Sequence, residues 1–138
     1  MLNTRRNDDG SYNINEVKSA KIQKPKKSNV DGVDTTYVID AAYQQYVLEK
    51  CGIRIKQVFV VLLSDTYVRG KNLELDKYFV RQDVTEHTNG LQDWVKEKLA
   101  EIEVALNSLS EPPANITPNC KGCDYFGFCS KCIPTPSP

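Results

Sequence analysis

Six consecutive apolar residues, Val58-Phe59-Val60-Val61-Leu62-Leu63, constrain this chain more than any other feature. Alternate side chains of a strand point to opposite faces of its sheet, so a strand that is apolar at every position needs cover on both faces. A helix stands immediately before it. The stretch begins near Thr35 or Thr36, either of which can cap it, carries Tyr37, Val38, Ala41, Ala42, Gln45, Leu48 and Cys51 at helical spacing, and meets a stop at Gly52. A delimited helix next to a buried strand, spanning residues 53–63, predicts an α/β domain.

The remaining elements follow from local signals. Asn7-Asp8-Asp9-Gly10 is a tight turn, and Ser-Tyr-Asn-Ile-Asn-Glu-Val-Lys after it alternates with period two. This predicts a hairpin, with residues 1–6 as its first strand and residues 11–19 as its second, Tyr12, Ile14 and Val17 being the apolar members with a one-residue slip at the end. Residues 20–34 lack periodicity and read as a loop. Tyr67, Val68 and Arg69 suggest a sheet edge, Gly70-Lys71-Asn72 a turn, and residues 78–80 a further extended piece. A last helix over residues 89–109 carries Leu91, Trp94, Val95, Leu99, Ile102, Ala105, Leu106 and Leu109 on one stripe, with Trp94 as a core anchor, and stops at Pro112-Pro113. There are no internal repeats. The domain organisation expected is a core over residues 1–111, a cysteine cluster over 112–132 and a mobile tail over 133–138.

Lys plus Arg equals Asp plus Glu at 18 each, so the net charge is zero and gives no global argument for nucleic acid. Locally, Lys18, Lys21, Lys24, Lys26 and Lys27 fall in a stretch without an acid, which suits either a solvated loop or a nucleic-acid surface. No apolar stretch approaches the roughly 20 residues of a membrane span, and the basic N-terminus lacks a signal core, which together predict a cytoplasmic chain with no membrane partner.

Two groups of residues carry chemistry. Glu16-Val17-Lys18 is the only acid-x-lysine pair in the chain, and on a strand residues i and i+2 share a face, so both polar heads project together while the middle side chain packs into the core. Such a pair suits either a metal-dependent phosphodiesterase site or a plain edge-strand ion pair. Four of the five cysteines form the second group, spaced Cys120-x2-Cys123-x5-Cys129-x2-Cys132. In a chain of cytosolic character this spacing suits a soft metal, as four thiolates around zinc or an iron-sulfur cluster. Cys51, on the apolar face of its helix, reads as core. His87, the only histidine, stands in a polar stretch and reads as surface.

The segment Asp9-Gly10-Ser11-Tyr12-Asn13-Ile14-Asn15-Glu16-Val17-Lys18-Ser19 resembles the hairpin and E-x-K strand of RecB-like and CRISPR-associated-exonuclease-like PD-(D/E)XK nucleases. The helix containing Gln44, followed by Cys51-Gly52 and a buried strand, is similar to the family's Q-x-x-x-Y motif, although position 48 is Leu where Tyr is usual; Tyr46 is a substitute. Cys120, Cys123 and Cys129 are similar to the family's C-terminal iron-sulfur cysteines. The resemblance spans residues 1–132. It implies a restriction-endonuclease-like mixed sheet flanked by helices, partial in this chain, with a C-terminal cysteine cluster.

By that resemblance Glu16 is a metal ligand for Mg2+ or Mn2+, Val17 offers its backbone carbonyl to the ion, Lys18 positions or activates water, and Gln44 lies beside the active site. Cys120, Cys123, Cys129 and Cys132 would bind a 4Fe-4S cluster, with Zn2+ as the alternative. DNA is the implied partner. The family's first aspartate would fall at or before Met1, and the only upstream acids, Asp8 and Asp9, sit in the turn, where carboxylates usually hold local backbone bonds. The implied function is metal-dependent DNA hydrolysis, incomplete in this chain unless an upstream polypeptide supplies the missing strand. Two other readings stay open: a non-catalytic nucleic-acid or partner-binding module that kept the fold, and a small zinc-binding interaction protein.

Overall fold

The computed structural model describes residues 2–110 and 116–132, with side chains from Arg6 to Ser110 and from Ile116 to Lys131. The chain divides into two compact units, Met1–Leu99 and Ala100–Pro138. In the first, strand β1 (Leu2–Arg6) turns at Asn7–Gly10 into β2 (Tyr12–Lys21), and a short ribbon of β3 (Asn29–Val30) and β4 (Val33–Asp34) leads into helix α1 (Thr35–Lys50). Strand β5 (Ile55–Leu63), a helical turn α2 (Leu75–Tyr78), strand β6 (Phe79–Asp83) and helix α3 (Thr85–Gly90) follow. Helix α4 (Gln92–Asn107) runs into the second unit, which continues with a 3-10 turn at Pro118–Gly122, a helical turn α5 (Phe126–Cys129) and a 3-10 turn at Ser130–Cys132.

The main sheet is mixed, in the order β1-β2-β5-β6: β1 lies antiparallel to β2, β2 parallel to β5, and β5 antiparallel to β6. This is the α/β architecture the sequence predicts. The run Val58–Leu63 does occupy an interior strand. Its Val58, Val60 and Leu62 face α1, and with Ile14, Val33, Val38, Ala41 and Val84 they form the core.

Several expectations are corrected. Asp34, and not Thr35 or Thr36, caps α1: its carboxylate accepts from the Thr36 amide at 2.9 Å and the Thr36 hydroxyl at 2.7 Å. Tyr67–Arg69 form no strand; the chain bends just before them, at Asp65 and Thr66, with the Ser64 hydroxyl accepting from the Tyr67 amide. The long final helix is two helices, α3 and α4, broken at Leu91. Helix α4 buries only Val95 along its length, so its apolar stripe is largely uncovered, and Trp94 is 39% exposed instead of anchoring the core. Cys51 is exposed, since the helix ends before that position turns inward. Pro112, Pro113 and the tail from 133 onward lie outside the described residues. No helix among the described residues is long and apolar enough to cross a membrane.

Two glycines with positive φ differ in what surrounds them. At Gly32, φ is +89° and a Cβ would lie 2.3 Å from the Gln23 carbonyl oxygen; at Gly52, φ is +79° and nothing lies within 4 Å. Gly52→Ala should therefore cost only the left-handed conformation, about 1 kcal/mol, whereas Gly32→Ala adds a backbone clash and should cost about 3 kcal/mol. Urea unfolding of both variants measures the difference; equal costs would contradict the close approach of the 20–34 segment to itself.

Candidate active site

Strand β2 places Ile14, Glu16 and Lys18 on one face, and the register pairs Ile14 with Val58 and Glu16 with Val60. That face is the one covered by α1. Glu16 is consequently 4% exposed among core residues, while Val17, on the opposite face, is 37% exposed. The expectation for this motif is thus inverted: the polar heads point toward the helix and the middle residue points away. Nor does the alternation slip, for Ile14 to Val17 keep an unbroken register with Val58 to Val61, and the irregularities fall between Tyr12 and Asn13 and between Val17 and Lys21.

A buried carboxylate is costly unless hydrogen-bonded, and Glu16 is bonded on both oxygens. The Lys18 ammonium lies 3.0 Å from Glu16 Oε1, and Gln44 Nε2 donates to Glu16 Oε2 at 3.1 Å. Lys18 also pairs with Asp40 Oδ2, and Gln44 Nε2 lies 3.3 Å from Asp40 Oδ1. Asp40 and Gln44, four residues apart, share one face of α1, so the four side chains close a ring between strand and helix. Tyr37, one turn before Asp40, places its ring 5.3 Å from the Lys18 nitrogen.

Sequence reasoning placed Glu16, Lys18 and Gln44 together, as observed, and missed Asp40. The missed signal is its spacing: four residues before Gln44 is the same helix face. Tyr46 does not join the ring; its ring lies beside Lys50, 5.4 Å from that nitrogen. Leu2 pairs with Glu16 across β1, and residues 2–6 contain no acid, so the second carboxylate of the site comes from α1. Asp9 does hold the turn, accepting from the Ser11 hydroxyl at 2.5 Å and the Ser11 amide at 3.0 Å; these bonds lower its carboxyl to about 2. His87 is exposed.

The ring holds two carboxylates and one ammonium. Burial pulls the Lys18 ammonium toward its neutral form, but bonds to Asp40 and then Glu16 outweigh it, and its pKa is raised. Asp40 is lowered, first by Lys18, against burial, with help from Gln44. The buried Oε1 of Gln44 has no hydrogen-bond partner. The two carboxylates are hard oxygen donors, of which a divalent cation such as Mg2+ takes one or two while completing its shell with water or phosphate; Gln44 turns its Nε2, and not its Oε1, toward both of them. Lys18 lies between the carboxylates, so a cation would share them with its ammonium.

The cysteine segment belongs to the second unit. The Thr117 amide donates to Cys120 Sγ at 3.3 Å, the Cys123 amide to the Cys120 carbonyl at 3.1 Å, and the Cys129 amide to the Tyr125 carbonyl at 3.0 Å. Among the described residues no group of three or more His, Cys, Asp or Glu side chains converges to hold a metal. The side chain of Cys132, the fourth cysteine of the group, lies outside those described. Tyr125, Phe126 and Phe128 between the cysteines are exposed.

No protein-family model, curated protein or solved structure matches the chain.

The ring sets a pH dependence. Asp40 is held below its usual 3.8, so its contribution to stability is present above that value and lost as pH falls through the lowered one. Lys18 is held above 10.5, so its contribution is intact below 10.5 and lost on the alkaline side. Asp40→Asn should flatten the acid limb of a Tm-against-pH profile at little cost near neutrality, because Asp40 is 42% exposed. Gln44→Leu, which strips buried Glu16 of its amide donor, should cost about 1–3 kcal/mol at pH 7. An unchanged acid limb in Asp40→Asn would contradict the ion pair.

Proposed function

We propose that this chain is a metal-dependent DNA nuclease of the RecB-like PD-(D/E)XK type, with Glu16, Lys18, Asp40 and Gln44 as its site. The observation that carries the reading is the ring itself: an acid and a lysine on one strand face, joined by a helix that brings a glutamine and a second acid. The antiparallel hairpin β1-β2, followed by α1 and a strand parallel to β2, also suits a restriction-endonuclease-like fold.

In this reading Glu16 and Asp40, with the Val17 carbonyl, would hold Mg2+ or Mn2+, which when bound would supply Lewis acidity toward a phosphodiester. Gln44 fixes the orientation of Glu16. Lys18, held as an ammonium by two carboxylates, acts as a hydrogen-bond donor to a phosphate oxygen or to the attacking water, and not as a base. Asp40 stands in for the aspartate that the family carries on the strand next to the glutamate.

A second reading rests on one observation: both carboxylates are already bonded within the ring. A saturated ring can serve purely as a polar staple between β2 and α1, as in a binding module that cleaves nothing. The cysteine segment is proposed as a separate structural site, for a 4Fe-4S cluster by resemblance or for zinc by its four local thiols; ligands of this type commonly close only on the metal. Anaerobic purification with iron and zinc analysis decides between them, brown colour with iron favouring the first.

The nuclease reading is tested with end-labelled DNA and Mn2+. Cleavage by the full chain should fall on the order of 100-fold or more in Glu16→Gln and in Lys18→Met. Cleavage that persists unchanged in both variants would place the activity elsewhere, and no cleavage by the wild type in Mn2+ or Mg2+ would favour the staple.

A further inference from the structure

Strands β2 and β5 run parallel and end together, Lys21 opposite Leu63. In open α/β sheets the space beyond the carboxyl ends of parallel strands is a usual place for ligands. Here it holds a cavity of about 380 Å³, lined by Lys21, Leu63, Tyr67, Arg69, Leu73 and Tyr78, with Ser64 at its base.

Its chemistry is specific. The Tyr67 and Tyr78 rings stand 5.4 Å apart at 59°, and Leu63 and Leu73 complete an apolar wall. The Tyr67 hydroxyl accepts from the Glu74 amide at 3.0 Å, which ties its ring to the backbone, and the main-chain carbonyl of Tyr78 accepts from the Ser64 amide at 2.8 Å. Lys21 and Arg69 are exposed, the lining holds no carboxylate, and neither cation has an ion-pair partner among the described residues. The larger cavity, about 620 Å³ at the hairpin turn, differs on each point. It includes Asp8 and Asp9, its Lys56 lies 3.5 Å from Asp9, and its Arg81 is stacked on Phe59 and bonded to Asn15.

We infer that the cavity at the ends of β2 and β5 binds one unpaired nucleotide of a single DNA strand, the base against Tyr67 and Tyr78 and the phosphate between Lys21 and Arg69. Flat aromatic faces take any base but need it unstacked, and two cations without an ion-pair partner among the described residues attract the single negative charge of a phosphodiester. Lys21 lies on the same strand as Lys18 but pairs with Leu63, on the sheet face opposite the ring. The inference rests on the nuclease reading for its link to cleavage, and on the cavity alone for binding.

Binding is measured in EDTA, where no metal-dependent cleavage occurs, by fluorescence anisotropy of the full chain with a labelled single strand of about 12 nucleotides and with its duplex. Lys21→Gln and Arg69→Gln, both at exposed positions, should each weaken single-strand binding several-fold and lower the slope of log K against log salt by about one. Tyr67→Leu should weaken it about 10-fold or more, with Tyr67→Phe, which keeps the ring, near wild type. Duplex binding should not respond to Tyr67→Leu. Single-strand affinity and salt slope unchanged in both Lys21→Gln and Arg69→Gln would overturn the inference, as would equal losses for single strand and duplex. Loss of binding in these variants, with cleavage indifferent to Glu16→Gln, would sink the nuclease reading and leave the nucleotide site standing.

Discussion

The carboxylate of Glu16, buried on the core face of β2, is the constraint around which the first unit is arranged. An ionised group at that depth is tolerated only with donors on both oxygens. One donor comes from its own strand, two residues on, and the other from α1, so strand and helix must hold a fixed relation. The Asp34 cap sets where α1 begins, and the positive φ of Gly52 releases the chain at its end into β5. Beneath the ring, Ile14, Val58 and Val60 fill the space that Glu16 leaves. Position 16 sets a charge among core side chains, and an apolar side chain there would satisfy packing without any ring.

Buried ion networks are weak evidence for stability, because well-packed apolar residues often do as well or better. This weighs the two readings of the site. The buried Oε1 of Gln44 has no hydrogen-bond partner among the described residues, a cost that a staple alone does not require. The cavity beyond the strand ends carries two positive side chains and no acid in its lining.

Much of this was legible in the sequence where local chemistry decides. The turn at Asn7–Gly10, the limits of α1 and the interior strand with its apolar run all follow from turn residues, caps and periodicity. Glu16 and Lys18 were legible as a pair because the strand period is fixed, and Gln44 only through the resemblance of its helix to the Q-x-x-x-Y motif. Asp40 was not singled out, since its role depends on how α1 lies across β2. The faces of β2 were read backwards for a related reason: Val17 is the apolar residue and Glu16 the charged one, and only the ring explains why the charge is inside. The stripe on α4 misled because an amphipathic pattern states what a helix could bury and not whether anything covers it. Tyr67 and Tyr78 gave no signal at all, being eleven residues apart in sequence and joined only by the fold.

Manganese binding tests the central claim most directly, since Mn2+ signal loss in paramagnetic resonance reports the ion without requiring turnover. Titration of the full chain should show one saturable site in the first unit that is lost in Glu16→Gln and weakened in Asp40→Asn, with both variants folded by circular dichroism. A titration in which Mn2+ binds the wild type and both variants alike, or binds none of them at millimolar concentration, would contradict the account and leave the ring as a staple.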